Sequence, residues 1–245
     1  MPVAIVTGAS SGIGEALAVE LHRRGWKVGL VARREAQLAA LTQSLGEGAA
    51  HASADVTDAS QTRTAMAQLE QTLGPCDLVV ANAGLGINNP AWRLDVDALF
   101  QVHRVNFDGA VHTATAVLPG MMERSSGHLA VVSSVAGYRG LPRAGPYSAS
   151  KAAVSTLFES WRVDLKRNGI AVTCIHPGFI ETPMTAQNKH PMPFMMKADR
   201  AARIIADGLE KRRSDITFPW QMRWLMRCVR WLPNWLFDRV VSRAV

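Results

Sequence analysis

Over its first 218 residues, the chain alternates apolar, strand-like runs with segments of helical period. Residues 3–7 predict a first strand, and residues 13–24 predict a helix that ends at Gly25. Several strand-like runs are apolar throughout, which is typical of a parallel sheet covered by helices on both faces. We therefore expect an α/β fold, a doubly wound parallel sheet of about seven strands, in one domain over residues 1–218.

The remaining elements follow from the same patterns. Further strands are predicted over residues 27–32, 49–54, 78–81, 128–134, 170–176 and 215–218. Further helices are predicted over residues 35–45, 59–73, 96–122, 147–167 and 198–211. Pro119 lies inside the longest of these helices, and we expect it to bend or end that helix because proline lacks the N–H group.

Composition excludes several classes of protein. With 48% hydrophobic and 19% charged residues, the chain is not a disordered one. Its 3 cysteines lie far apart, without the spacing of a disulfide framework or a zinc site, so we expect no metal and a reducing compartment. The first strand begins almost at once, and no uncharged apolar stretch reaches about 18 residues. We therefore expect no signal peptide, no membrane span and a cytoplasmic location.

A glycine-rich turn joins the first predicted strand to the first predicted helix. Its glycines are Gly8, Gly12 and Gly14, in the spacing GxxxGxG. Such a turn lets the backbone approach a pyrophosphate, which the N–H groups of the helix N-terminus then bind. The alternative is an ordinary glycine/serine turn, but the position between strand and helix favours a dinucleotide site.

The end of the second predicted strand indicates which dinucleotide is bound. An NAD site typically has an acidic residue there that binds the ribose 2′-hydroxyl, whereas this chain has Ala32. Arg33 and Arg34 follow, and their guanidinium groups suit a 2′-phosphate. We therefore expect NADP (NADPH) as the cofactor, with two surface arginines at a helix start as the alternative.

Tyr147 and Lys151 lie four residues apart at the start of a predicted helix, so their side chains share one face. A nearby ammonium group favours the phenolate and lowers the pKa of a tyrosine. A tyrosine adjusted in this way can exchange a proton with a carbonyl or alcohol oxygen. The pair by itself is weak support for a catalytic role.

Five motifs in order resemble those of the short-chain dehydrogenases/reductases, over about residues 3–218. Beside the glycine turn, these are Asp55-Val56, Asn82-Ala83-Gly84, Ser134 thirteen residues before Tyr147, and Pro177-Gly178 with Thr182. Family members often have asparagine where this chain has Ala81, a difference that lies outside the chemical step. The resemblance, together with the two arginines after the second strand, implies these cofactor-binding residues: Gly8, Ser10, Ser11, Gly12, Ile13, Gly14, Arg33, Arg34, Asp55, Val56, Asn82, Ala83, Gly84, Tyr147, Lys151, Pro177, Gly178, Ile180 and Thr182.

The same resemblance implies the catalytic roles. Tyr147 would be the general acid/base, and Lys151 would lower its pKa and bind the nicotinamide ribose. Ser134 would bind the substrate oxygen, with Ser133 as its rival, and Asn106 would hold a water that links Lys151 to solvent. The implied activity is NADP(H)-dependent interconversion of a carbonyl and a secondary alcohol. The alternative is a redox sensor or scaffold that binds NADP(H) and acts through the C-terminal tail without significant turnover.

Three segments are expected to wall the substrate crevice: residues 85–92, 136–146 and 184–196. The last is rich in methionine and contains Pro191 and Pro193, which suits an apolar pocket with a lid. We therefore expect a lipophilic small-molecule substrate, with Arg139 and Arg143 as the nearby candidates for binding an acidic group. The family resemblance implies a homodimer or homotetramer formed through residues 96–118 and 147–167.

Residues 219–245 form a helical tail beyond the core of that resemblance. Basic residues outnumber acidic ones by eight to two over residues 211–245, so the net charge of +7 is local and does not indicate a nucleic-acid-binding surface. Pro219 suits a helix start, Pro233 a stop, and Asn234 the cap of a second helix. Such a tryptophan- and arginine-rich helix suits packing on its own domain or a second subunit, or a membrane surface.

Overall fold

The computed structural model describes residues 1–186 and 192–242, and it contains two parallel sheets. The strands of the large sheet are β1 (Val3–Thr7), β2 (Lys27–Ala32), β3 (Ala49–Ser53), β4 (Leu78–Ala81), β5 (Gly127–Val132), β6 (Ile170–Pro177) and β9 (Asp215–Phe218). Their order is β3-β2-β1-β4-β5-β6-β9, and every neighbouring pair is parallel. The small sheet, which the sequence did not predict, pairs β7 (Ile180–Glu181) with β8 (Met196–Lys197).

Helices cover both faces of the large sheet, which confirms the doubly wound fold. They are α1 (Gly12–Arg23), α2 (Glu35–Leu45), α3 (Ala59–Leu73), α4 (Val96–His103), α5 (Gly109–Glu123), α6 (Gly145–Asp164), α7 (Ala198–Glu210), α8 (Trp220–Trp231) and α9 (Asn234–Val241). Leu17, Leu21 and Ile205 belong to the core beneath α1 and α7. Met66 and Phe158 belong to the core on the opposite face, beneath α3, α5 and α6.

The order of the strands places the functional crevice. Chain connections run outward in one direction from β1 to β3 and in the other from β4 to β9. Ligands of such sheets bind outside the carboxyl ends of the strands, at the point where the order reverses. That point lies between β1 and β4, next to the glycine turn.

The long helix predicted over residues 96–122 is divided. A π-helical turn, Arg104–Asp108, separates α4 from α5. Pro119 does not end the helix, because α5 continues through it to Glu123. The neighbouring Val117 and Met121 are buried against the sheet, and this packing keeps the last turn helical despite the missing N–H group.

The tail packs on the remainder of the chain through α8. Met222 and Met226 are buried and form a small core with Val135. The tail begins with a helix after Pro219, as expected, but Asn234 does not cap α9, whose N-cap position is Pro233. The Asn234 side chain instead accepts a hydrogen bond from Arg139.

None of the described helices is long and apolar enough to span a bilayer. Residues 187–191, which include Pro191 of the predicted lid, lie outside the described residues, as does Arg243 of the basic tail.

Candidate active site

The glycine turn brings the N-terminus of α1 close to the sheet. Gly8 and Gly12 have φ values of 67° and 63°, a backbone conformation that favours glycine. A Cβ atom on Gly14 would lie 2.4 Å from both the Gly8 carbonyl oxygen and the Asn82 side-chain nitrogen. No side chain caps α1 at its N-cap residue Ser11, so its first N–H groups face the crevice.

Thr7, which was not among the predicted site residues, joins the glycine turn to the Asn82-Ala83-Gly84 turn. Its hydroxyl accepts hydrogen bonds from the backbone N–H groups of Asn82 and Ala83, at 3.1 and 3.3 Å. The Asn82 side chain donates to the Thr7 carbonyl at 2.9 Å. These bonds fix the two turns side by side. The sequence signal for Thr7 was its position as the last residue of the first strand, directly before Gly8.

A cavity of about 310 Å³ connects the glycine turn with Tyr147 and Lys151. Of the predicted cofactor-binding residues, all except Gly14 line it. Gly14 is buried beneath the turn, and the catalytic candidate Asn106 lies next to the cavity and not on its wall. The lining also includes residues outside the predicted cofactor-binding set: Met184 and Thr185, which belong to the predicted crevice wall 184–196, and Ala32, Ala54, Val105, Val132 and Pro183.

One end of the cavity is basic. The Arg34 guanidinium donates hydrogen bonds to the hydroxyls of Ser10 and Ser11, the shortest of them 2.6 Å, and so lies over the glycine turn. Arg33 is exposed and lies 3.6 Å from the Asp55 carboxylate. Burial raises the pKa of Asp55, but hydrogen bonds from Thr57 and the charge of Arg33 together lower it by more. The pKa of Asp55 therefore lies below its usual value.

At the other end, Ser134 follows β5 and Tyr147 lies in the first turn of α6, with the Ser134 side chain beside the Tyr147 hydroxyl. Burial raises the pKa of Tyr147 above its ordinary value, and the Ser134 hydroxyl lowers it only in part. This differs from the expectation that Lys151 lowers this pKa. The Lys151 ammonium nitrogen is 5.8 Å from the centre of the tyrosine ring and donates to the Val132 carbonyl at 2.7 Å.

Ser133, the alternative to Ser134 as the catalytic serine, makes hydrogen bonds to backbone and side-chain groups of α6. Its hydroxyl donates to the Lys151 carbonyl at 2.8 Å and accepts from Ser155 at 2.7 Å. Both bonds hold β5 against α6. Ser133 lines the cavity as well, but the hydroxyl that lowers the pKa of Tyr147 is that of Ser134.

Lys151 is buried, and burial alone lowers its pKa to about 8. Its neighbour is Gly84, where a Cβ atom would lie 3.5 Å from the Lys151 nitrogen and 3.4 Å from the Asn106 side-chain oxygen. A larger residue would therefore come between the lysine and the asparagine.

The π-helical turn places Asn106 beneath this group. The Asn106 side chain accepts from the Leu85 N–H at 2.7 Å and donates to the Leu85 carbonyl at 3.0 Å and to Ser150 at 2.9 Å. Single π-helical turns occur frequently at functional sites, because they redirect one side chain of a helix. The sequence pattern cannot reveal such a turn, since α4 and α5 read as one helix.

Comparison with known proteins decides the family. The family model described as short chain dehydrogenase matches residues 2–193. The chain belongs to the short-chain dehydrogenases. It is 45% identical over 243 residues to an oxidoreductase of Myxococcus xanthus, itself described as uncharacterized, and the match covers 98% of this chain and 96% of that one.

Two solved structures are similar to it. An alcohol dehydrogenase from the archaeon Thermococcus sibiricus, complexed with 5-hydroxy-NADP, is 26% identical with a TM-score of 0.81, and the match covers 89% of this chain and 96% of that one. A short chain dehydrogenase/reductase from Burkholderia phymatum, in complex with NAD, is 25% identical with a TM-score of 0.84 and 92% coverage of both chains.

As a short-chain dehydrogenase, the protein is an oxidoreductase of a family that uses nicotinamide cofactors. Among the described residues, no three His, Cys, Asp or Glu side chains are grouped to hold a metal ion.

Arg139, which was expected near the substrate, instead binds the tail. It donates to the carbonyls of Val229, Arg230 and Leu232, and its guanidinium stacks on the ring of Phe237.

Proposed function

We propose that this oxidoreductase interconverts a carbonyl compound and a secondary alcohol with NADP(H), using Tyr147 as general acid/base. The observation that carries the proposal is the arrangement of one cavity. The hydroxyls of Ser134 and Tyr147 lie at one end of it, and Arg33 and Arg34 lie at the other. A dinucleotide laid along this cavity would place its reactive ring beside a proton donor.

The residues fit such a cofactor. Side chains at Gly8 or Gly14 would collide with their surroundings, so the turn is shaped for close approach to a phosphate. The uncapped N-terminus of α1 offers N–H groups and the positive end of a helix dipole to a pyrophosphate. Thr182, whose methyl group would lie 3.1 Å from a Cβ atom on Gly12, faces the turn from the Pro177–Gly178 side.

The preference for NADP rests on charge. Ala32 ends β2 without a carboxylate, and Arg33 and Arg34 follow it at the cavity wall. A 2′-phosphate there would receive charge-assisted hydrogen bonds. Asp55 does not cancel both arginines, because it faces Arg33 while Arg34 is bonded to serine hydroxyls.

The proposed chemistry assigns a separate role to each of four side chains. Bound NADPH would supply the hydride to the carbonyl carbon. In that direction, the Tyr147 hydroxyl gives its proton to the carbonyl oxygen, and the Ser134 hydroxyl donates a hydrogen bond to the same oxygen. Lys151, now bonded to the Val132 carbonyl, binds the nicotinamide ribose, and Asn106 holds a water that returns a proton to Tyr147. In the oxidative direction, Tyr147 takes the proton of the alcohol.

An apolar substrate is supported by the surroundings of Tyr147. Met184 lines the cavity and lies beside Gly86, where a Cβ atom would be 3.4 Å from the methionine sulfur and 3.8 Å from the Tyr147 ring. Phe194 and Met195 are exposed on the same connection. Such flexible apolar side chains suit a lipophilic ketone or alcohol.

Assembly as a homodimer or homotetramer is also part of the proposal. The helices α4 and α6 expose Val96, Phe100 and Val163, which are 52%, 55% and 68% accessible in the single chain. Exposed apolar side chains on neighbouring helices suit an interface between subunits. Sedimentation velocity of the wild-type protein tests this, and a monomer at all concentrations would contradict it.

Two measurements test the function. Calorimetric titration should show tighter binding of NADPH than of NADH, and Arg33→Ala should weaken NADPH binding by at least about tenfold while NADH binding barely changes. Arg63→Ala, an exposed arginine on α3, is the matched control and should change neither. Equal losses for both nucleotides in Arg33→Ala would contradict the NADP assignment.

Turnover is then followed with apolar ketones and NADPH. Tyr147→Phe should lower kcat by about 10²–10⁴-fold without loss of NADPH binding. Tyr138→Phe is the matched control, since Tyr138 is the other tyrosine and bonds Thr217. Full turnover in Tyr147→Phe would rule out its catalytic role. Tight NADPH binding without wild-type turnover would instead support the sensor alternative.

A further inference from the structure

The helix α8 has two different faces. Met222 and Met226 are buried against Val135, and Val229 is half-buried beside them. This stripe fixes the rotation of the helix about its axis. The opposite side of α8 therefore always points away from the catalytic domain.

Three tryptophans occupy that outward side. At about 100° per residue, Trp220, Trp224 and Trp231 fall within about 40° of one another, opposite Met222. Their exposed fractions are 68%, 59% and 86%. We call these three residues the tryptophan face. A large apolar surface of this kind on a rigid helix indicates a binding partner.

The charge around the tryptophan face indicates the chemistry of that partner. Arg223, Arg227 and Arg230 lie along one flank of α8, and residues 216–237 contain no acidic residue. The occupant must therefore present negative charge together with an apolar region. Tryptophan prefers the boundary between lipid headgroups and acyl chains, and arginine beside it binds anionic headgroups.

A second copy of the same face fits less well. An isologous contact would bring Arg227 and Arg230 towards their counterparts with no acidic residue on α8 to pair with them. We infer that the tryptophan face of α8 is a docking surface for membranes whose lipids carry negative charge. This inference is independent of the cofactor and of the reaction.

The docking surface is already formed in the free protein. Arg139 holds the C-terminal end of α8 through the carbonyls of Val229 and Leu232, at 3.1 and 2.6 Å. A cation at this end of a helix is also stabilised by the negative end of the helix dipole. Because α8 lies against Val135, directly after Ser134, docking would place the catalytic end of the cavity close to the lipid surface.

Co-sedimentation of the full-length protein with vesicles tests the inference. The protein should sediment with vesicles of phosphatidylcholine and phosphatidylglycerol, weakly with phosphatidylcholine alone, and less as salt is added. The triple variant Trp220→Ala, Trp224→Ala, Trp231→Ala should weaken partitioning by at least about tenfold. Arg227→Gln with Arg230→Gln should weaken it by about twentyfold on anionic vesicles only.

Matched controls separate docking from general effects. Trp92→Ala removes a tryptophan that is 69% exposed outside the tail, and Lys166→Gln with Arg167→Gln removes two exposed charges, so neither should change partitioning. Thermal melting checks that each variant is folded. Quenching of tryptophan fluorescence by brominated lipid supplies a second readout, which requires no variant.

Three results would overturn the inference. The first is that the wild-type protein does not sediment with anionic vesicles. The second is that Trp92→Ala and the triple variant lose vesicle partitioning equally, and the third is that brominated lipid does not quench tryptophan fluorescence. If the triple variant instead converts a dimer to a monomer while vesicles never bind, the face is an interface between copies and the lipid proposal is wrong.

Discussion

The ammonium nitrogen of Lys151 lies 2.7 Å from the carbonyl oxygen of Val132, in a buried position between α6 and the end of β5. One hydrogen bond does not compensate fully for the loss of water around a charge, and burial lowers the pKa of Lys151 to about 8. Lys151, to which the proposed mechanism assigns the nicotinamide ribose, is therefore close to losing its proton at physiological pH. Two predictions depend on this relationship.

The first concerns cofactor binding. If protonated Lys151 binds the nicotinamide ribose, its pKa is higher in the complex than in the free protein. The association constant of NADPH should then fall as the pH rises through about 8, the pKa of Lys151 in the free protein. Calorimetry over this range measures the fall. Lys151→Met should bind more weakly with a flat profile, whereas the exposed Lys166→Met should keep the wild-type profile.

The second concerns stability. Because the pKa of Lys151 is lowered from 10.5 to about 8, the unfolded state binds more protons than the folded state between these values. The free energy of unfolding of the wild-type protein should therefore rise with pH over this interval. Lys151→Met should be more stable than wild type by about 1–2 kcal/mol at neutral pH and lose this advantage near pH 10. Urea denaturation measures both, and a less stable variant at neutral pH would contradict the account.

Asn106 should support both the fold and the reaction. Asn106→Ala leaves the Leu85 backbone groups and Ser150 without their partner, which should cost about 2–3 kcal/mol of unfolding free energy. It should also lower kcat by at least about tenfold if the proton path runs through this residue. Asn88→Ala, an exposed asparagine, is the control. Unchanged kcat in a folded Asn106→Ala would limit the residue to a structural role.

The glycine turn gives a steric prediction. A Cβ atom on Gly14 would lie 2.4 Å from the Gly8 carbonyl oxygen, so Gly14→Ala must push α1 away from the turn. We expect a loss of stability of about 2 kcal/mol or more and a loss of NADPH affinity, measured by thermal melting and calorimetry. Gly140→Ala, where a Cβ atom meets nothing within 4 Å, should change neither.

Arg139 should hold the tail on the domain. Arg139→Ala removes the bonds to Val229, Leu232 and Asn234 and the contact 4.1 Å from the Phe237 ring centre. Limited trypsin digestion should then cleave within residues 219–242 more rapidly, because local opening exposes the arginines of α8. The control variant Arg93→Ala, at an exposed arginine, should be cut at the wild-type rate. Equal rates of cleavage in both variants would mean that the packing of Met222 and Met226 is sufficient to hold the tail on the domain.

Several local features could be predicted because their causes lie within a few residues. The boundaries of β1, β2, α2, α3, β4 and β9 agree with the sequence pattern. The glycine spacing of Gly8, Gly12 and Gly14 identified the turn, since two of these positions need positive φ and the third has no room for a Cβ atom. The position of Tyr147 and Lys151 on one helix likewise followed from helical period.

Other features depend on neighbours that are distant in the chain. Packing against the sheet overrides the tendency of Pro119 to end α5, and the π-helical turn that holds Asn106 is matched by bonds to Leu85 and Ser150. The pKa values of Tyr147 and Lys151 are set by burial, which the spacing of the two residues does not reveal. The amphipathic pattern of the tail was compatible with packing on its own domain, on a second subunit or on a membrane surface.

The sequence by itself determined the alternation of strands and helices, the glycine turn and the types of residue available for proton transfer, because these follow from local sterics and periodicity. Only the tertiary structure decided that the Ser134 hydroxyl lies beside that of Tyr147 while Ser133 bonds the α6 backbone. It also decided that Arg139 binds the tail, and that the packing of Met222 and Met226 leaves Trp224 exposed. These choices depend on which groups are buried together, and burial is a property of the whole folded chain.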